Sequence, residues 1–163
     1  MPALPIRAAL RSDGVFLADM AVEAANWRAG AARPRHEIIS SPEYSRYIAG
    51  WLRPGDAGFV AESPGGEPVG AAWYRMLPRD EPGFGWVGTG VPELIIGVRP
   101  VWRAHGTGRA LLRRLTDHAR GEGYARISLS VERDNYAVTL YRSEGFAVVR
   151  RGIGRDAMVK RLG

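Results

Sequence analysis

Residues 93–108 read Glu93-Leu94-Ile95-Ile96-Gly97-Val98-Arg99-Pro100-Val101-Trp102-Arg103-Ala104-His105-Gly106-Thr107-Gly108. The apolar run Leu94–Val98 suits a buried strand. The segment Arg99–Thr107 then reads as a loop, and a helix follows from Gly108 to about Arg120. Ala110, Leu111, Leu115 and Ala119 share one face of that helix, while Arg109, Arg113, Arg114 and Asp117 can face out. Gly121 and Gly123 supply a stop. A glycine-rich turn between a buried strand and a helix places the helix's unpaired amides, and the positive end of its dipole, where an anion can sit. Arg103 and Arg109 can add charge.

Several ligands could use such a turn. A P-loop requires a lysine after the last glycine, and Arg109 stands there. A dinucleotide fold requires a small residue at position 111, which is leucine, although Glu132 lies near where a ribose-binding acid would fall. A glycine turn without a ligand also stays open.

Past this stretch, Ile127–Val131 reads as a strand and residues 135–143 as a short helix closed by Gly145. Phe146–Arg150 and Ala157–Leu162 read as final strands. Towards the N-terminus, Gly58–Glu62 and Val69–Met76 are strands joined by the Ser63-Pro64-Gly65-Gly66 turn. Residues 78–92 form a long excursion, either a substrate wall or a disordered insertion. Ser41-Pro42 opens a helix carrying Tyr44, Tyr47, Ile48 and Trp51. Ser12 or Asp13 caps an earlier helix through Phe16, Leu17, Met20, Ala21 and Ala24, and residues 4–9 begin the chain as a strand. The predicted order is strand, helix, helix, three strands, helix, strand, helix, two strands. That is an α/β (α+β) domain, residues 1–163, with one mixed central sheet flanked by helices.

The strand at 93–98, the Arg-x-x-Gly-x-Gly loop at 103–108, the run Asn135-Tyr136-Ala137-Val138-Thr139-Leu140-Tyr141 and Glu144-Gly145-Phe146 together resemble the acetyl-CoA site of the GCN5-related N-acetyltransferase (GNAT) superfamily. The resemblance covers residues 93–146. It implies an acetyl-CoA-dependent N-acetyltransferase that moves an acetyl group to a primary amine, on a small molecule or a protein N-terminus, by direct attack in a ternary complex. A non-catalytic acetyl-CoA-binding or sensor domain of the same fold is the alternative. The resemblance implies that the backbone of Ile96, Gly97 and Val98 pairs with the pantetheine arm, on a strand that is bulged and splays from its neighbour. It implies that amides of Arg103, Ala104, His105, Gly106, Thr107, Gly108 and Arg109 receive the pyrophosphate, and that Asn135 hydrogen-bonds the arm. A backbone amide near Val98 is the implied oxyanion donor. Tyr141 is the implied acid for the departing thiolate, and Glu93 the candidate general base, through a water. The expected acceptor pocket draws on Trp27, Tyr44, Tyr47, Trp73, Tyr74, Phe84 and Trp86, with Asp80 and Glu81 attracting a cationic amine.

Composition narrows the remaining classes. The chain has no cysteine, which excludes a disulfide framework, a thiolate zinc site and a cysteine nucleophile. His36, His105 and His118 are unclustered, so no metal is expected. The net charge of +6 arises from 23 basic and 17 acidic residues and favours anionic partners. The arginines are scattered, so nucleic acid is not the expected partner. No apolar run reaches membrane-spanning length, and a cytoplasmic location is expected. Exposed strands and aromatics permit a homodimer.

Overall fold

A computed structural model describes residues 3–28, 30 and 32–163. The sheet has seven strands: β1 (Ile6–Ala8), β2 (Ala57–Glu62), β3 (Pro68–Arg75), β4 (Glu93–Val98), β5 (Arg126–Glu132), β6 (Ala147–Arg151) and β7 (Arg155–Arg161). Their spatial order is β1-β2-β3-β4-β5-β7-β6. The helices are α1 (Gly14–Ala25), α2 (Arg35–Ser40), α3 (Pro42–Ser45), α4 (Thr107–Gly121) and α5 (Ala137–Ser143). The predicted α/β class and mixed sheet are the observed ones. Among the described residues no helix is long and apolar enough to cross a membrane.

Strand alternation builds two cores. Leu94, Leu129, Val131 and Met158 point to one face and bury against Leu111, Leu112, Leu115 and Ala119 of α4. Val60, Ala71, Trp73 and Ile95 point to the other face and meet Leu17, Met20 and Ala21 of α1. Each fully buried leucine or methionine contributes about 1.5–3 kcal/mol of apolar burial. Past the end of α4, Gly123 takes φ +91 and its amide bonds back to the Arg120 carbonyl at 3.0 Å, the left-handed stop that its missing side chain allows.

Two expected features differ. The helix expected to open at Ser41-Pro42 and run towards Trp51 shrinks to one turn, α3, followed by irregular turns, and α2 stands before it, where no helix is expected from the sequence. Ser41 is extended (φ −72, ψ 135) because it precedes Pro42, which disfavours helical dihedrals at the residue before it. Further on, the Arg75 guanidinium takes up the carbonyls of Arg46 (3.2 Å) and Ala49 (2.6 Å), and Gly50 turns the chain with φ +66. Arg75 is itself buried and paired with buried Asp56 at 2.7 Å.

The second difference concerns β4. The expected bulge is absent: β3 and β4 stay in continuous register from Arg75↔Glu93 to Gly70↔Val98. Gly97 is required for a different reason. A Cβ there would lie 2.2 Å from the Met20 carbonyl oxygen, so glycine lets α1 pack onto the strand. The splay itself is present, since β4 meets β5 only at Glu93↔Ser128. Beyond that point the two parallel strands separate towards Val98 and Glu132.

Candidate active site

The split between β4 and β5 opens into a cavity of about 440 Å³ that continues to the start of α4. Its walls divide by sheet face. On the α4 side lie Asn135, Leu140 and Tyr141, at or near α5. On the α1 side lie Glu93, Ser130, Glu132 and Arg155, with Trp27, Tyr44, Tyr47 and Phe84 around them. The register places Ser130 opposite Ala157 and Glu132 opposite Arg155, so these polar residues alternate with the buried Leu129, Val131 and Met158 of the other face.

Glu93 is not a solvated strand end. It is 2 % exposed. Its Oε2 accepts from the Tyr47 hydroxyl and from the Gly85 amide at 2.9 Å. Its Oε1 is buried with no hydrogen-bond partner. Burial pushes the carboxyl up to about 7, against the two hydrogen bonds and the charges of Arg155 and Arg150, which favour the ionised form. Tyr47 stays a phenol, because burial and the adjacent Glu93 carboxylate hold its ionisation well above the ordinary value.

The excursion before β4 is an ordered wall. The Phe84 amide donates to the Tyr47 hydroxyl at 2.8 Å, and Arg150 clasps the carbonyls of Phe84 (3.1 Å) and Trp86 (2.7 Å). Glycine is required at two points of this crossing. A Cβ on Gly83 would collide with Glu93 Oε1 and the Tyr47 hydroxyl, and one on Gly85 would lie 2.6 Å from the Leu129 carbonyl oxygen. Phe84 packs edge-on against Tyr44, with ring centroids 5.5 Å apart.

At the other end, Ala104 (φ 62) and Gly106 (φ 82) are left-handed, and α4 starts directly after them. No protein acceptor is found among the described residues for the amides of Ala104 through Arg109; the next one, Ala110, bonds the Gly106 carbonyl at 3.0 Å. Alternating left-handed residues beside a helix start form a concavity of N–H groups suited to a phosphate. Nothing lies within 4 Å of an added Gly106 Cβ, so this turn is open to the outside. The donor set therefore fits a diphosphate group.

Several expected roles in the loop need correction. The Arg103 amide bonds the Pro100 carbonyl at 3.2 Å, so the cradle begins at Ala104. The Arg103 side chain is held by Glu23 (3.1 Å) and the Val98 carbonyl (3.0 Å), and Arg109 is held by Glu144 and Ser143, so neither guanidinium is free to add charge. The amides of His105 and Thr107 stay in the cradle, while these residues also line a smaller cavity with Leu4 and Ile6 rather than the main one. Asn135 spends its carbonyl oxygen on the Ala137 amide at 2.9 Å, starting α5; its amide nitrogen remains for a ligand. Ile96, Gly97 and Val98 line the split.

Tyr141 stands on α5 with its ring edge-on to Phe146 at 6.0 Å. Burial and, secondarily, Tyr136 push its phenol up to about 12. Of the expected acceptor aromatics, Trp27, Tyr44, Tyr47 and Phe84 line the cavity; Trp73, Tyr74 and Trp86 do not. Asp80 and Glu81 are exposed and also outside it; the carboxylates that line it are Glu23, Glu93 and Glu132. Among the described residues no three His, Cys, Asp or Glu side chains group to hold a metal. Glu23, Ser130 and Arg155 carry no local motif. Their only sequence signal is polarity at alternate positions of a strand or on the apolar face of a helix.

A sequence profile of the acetyltransferase (GNAT) family matches residues 21–146. The chain belongs to this family. A mycothiol acetyltransferase of Nocardiopsis dassonvillei is 34% identical over 151 residues, 90% of this chain but 44% of that protein. The N-alpha-acetyltransferase RimI of Mycobacterium tuberculosis is 42% identical over 89 residues, 54% of this chain and 51% of its own. The chain spans under half the length of the mycothiol acetyltransferases it matches. The PaiA N-acetyltransferase of Thermoplasma acidophilum, solved with coenzyme A, shares the fold at TM-score 0.72 and 17% identity, covering 98% of this chain and 99% of its own. The ribosomal-protein-alanine N-acetyltransferase of Brucella melitensis aligns at TM-score 0.69 and 25% identity, over 98% and 100% of the two chains.

Proposed function

We propose that the chain is an acetyl-CoA-dependent N-acetyltransferase acting on a primary amine, of a small molecule or a protein N-terminus. The observation that carries this reading is the buried Glu93, with an unpartnered Oε1, at the apex of the β4–β5 split whose other end is the amide cradle at residues 104–109.

When bound, acetyl-CoA supplies the acetyl group as a thioester. The amides of Ala104–Arg109 hold its diphosphate, the free edge of Ile96–Val98 aligns its arm by main-chain bonds, and the Asn135 amide nitrogen steadies it. Glu93, titrating near neutrality, takes the proton from the incoming ammonium through a water, so that the nitrogen can form the new N–C bond. An amide near Val98 stabilises charge on the acetyl oxygen. As the C–S bond breaks, the Tyr141 hydroxyl gives its proton to sulfur. Tyr141 is protonated at neutral pH because its ionisation lies near 12. A domain at residues 1–163 and a cytoplasmic site of action complete the reading.

The experiment is acetyl-CoA-dependent thiol release with a panel of primary amines, repeated with Glu93→Gln. Amine-dependent release that falls at least about 100-fold in the variant supports the reading. Acetyl-CoA binding without release for any amine contradicts it and favours a sensor.

A further inference from the structure

Arg155 stands on the acceptor side of the split with both terminal nitrogens free of protein acceptors among the described residues. Its Nε donates to Ser130 Oγ at 2.7 Å, and its guanidinium lies over the Phe84 ring, 4.1 Å from the centroid. Among the described residues neither terminal nitrogen meets a protein acceptor, and no carboxylate pairs with it. This is unusual for its position. Arg155 is the register partner of Glu132 across β5–β7, where opposite charges ordinarily pair. Here the Glu132 carboxylate accepts from Trp27 Nε1 instead. The other arginines at this site are occupied: Arg103 by Glu23, Arg109 by Glu144, and Arg150 by two carbonyls. Glu93 and Arg155 thus face one cavity from the same side of the sheet, as the two walls of a site polarised from acid to base.

We infer that the acceptor is a zwitterion, a small primary amine carrying a carboxylate, with Arg155 binding the carboxylate and Glu93 and Glu132 receiving the ammonium. The inference rests on the N-acetyltransferase reading. A guanidinium fixed at Nε and stacked on an aromatic ring presents its two terminal nitrogens as a rigid fork, the geometry that matches a carboxylate bidentately. The surrounding Trp27, Tyr44 and Phe84 leave an apolar wall for the remainder of the molecule.

The test measures acetyl-CoA-dependent thiol release with the common L-amino acids, their carboxamides, the corresponding decarboxylated amines and short C-terminally amidated peptides. The best amino acid is expected to exceed its own carboxamide at least about 10-fold in kcat/KM. Arg155→Gln is expected to raise KM for that acid about 10- to 100-fold while leaving KM for its carboxamide and affinity for acetyl-CoA unchanged; any fall in kcat from losing its charge near Glu93 should be common to acid and carboxamide, and Arg155→Lys is expected to retain part of the preference. Carboxamides, decarboxylated amines or C-terminally amidated peptides serving as well as free acids would overturn the inference while leaving the N-acetyltransferase reading intact. A rise in KM in Arg155→Gln shared equally by acids and carboxamides would also overturn it, making Arg155 a packing residue. Release with no amine at all would count against the reading beneath it instead.

Discussion

The Tyr47 hydroxyl donates to Glu93 Oε2 while it accepts the Phe84 amide at 2.8 Å, so one phenol ties the candidate base to the wall built before β4. The Tyr47 hydrogen bond favours the ionised carboxylate and opposes the larger effect of burial. A base works when deprotonated, so kcat/KM should rise with pH through about 7 in the native protein. In Tyr47→Phe the counterweight is lost, and the limb should move to higher pH. Activity should fall at pH 7 and recover in part near pH 9. A pH–rate profile with an unmoved limb would remove Tyr47 from the control of Glu93.

Glu93 should also cost stability. Its ordinary value of 4.5 rises to about 7 in the folded chain. The folded state therefore holds a proton through a window in which the unfolded chain has lost it, and stability declines as pH rises from about 4.5 to 7. Above that window the full cost stands, on the order of 3 kcal/mol. Glu93→Gln should accordingly raise the denaturation midpoint at pH 8, with little effect at pH 4, while it lowers turnover at least about 100-fold. Denaturant melts at both pH values check the sign; a variant less stable at pH 8 would show that the carboxylate is compensated.

Tyr141→Phe should lower kcat about 10- to 1000-fold with little change in acetyl-CoA affinity, since only the proton donor is removed and the ring still packs on Phe146. Steady-state kinetics beside calorimetric affinity separates the two effects. Unchanged kcat would leave Tyr141 as an aromatic packing residue.

Gly106→Asp tests the amide cradle. An added Cβ meets no atom within 4 Å, but φ is +82, so the substitution should cost roughly 1 kcal/mol of stability. Its negative charge would stand where the diphosphate is proposed to bind, and acetyl-CoA affinity should fall at least about 10-fold. Gly106→Asn, similar in shape and neutral, should lose less. Equal affinities in the two variants would deny the electrostatic role of the turn.

The stretch from β4 to α5 was legible because its signals are local. A short apolar run, two glycines before a helix, an i, i+3, i+4 stripe and a helix-closing Gly145 each depend on near neighbours. Asn135 and Tyr141 stand out only through the resemblance to the acetyltransferase family, and both line the cavity. The acceptor side was not legible, because its chemistry is set by pairings far apart in sequence. Tyr47 and Glu93 stand 46 residues apart, and Arg155 and Ser130 stand 25 apart. Nothing in the composition of residues 78–92 announces that Gly83 and Gly85 fit it against Glu93 and β5. Side-chain commitments were equally hidden: Arg103 and Arg109 stand in the expected places, yet Glu23 and Glu144 neutralise them. The break at Ser41 was readable, since a residue before proline is pushed out of the helical region.

The most direct test of the account is calorimetric titration of the protein with acetyl-CoA at two salt concentrations. Micromolar binding that weakens as salt rises is expected, because the diphosphate is held by helix-terminal amides whose field is screened. No heat of binding at millimolar acetyl-CoA would contradict it.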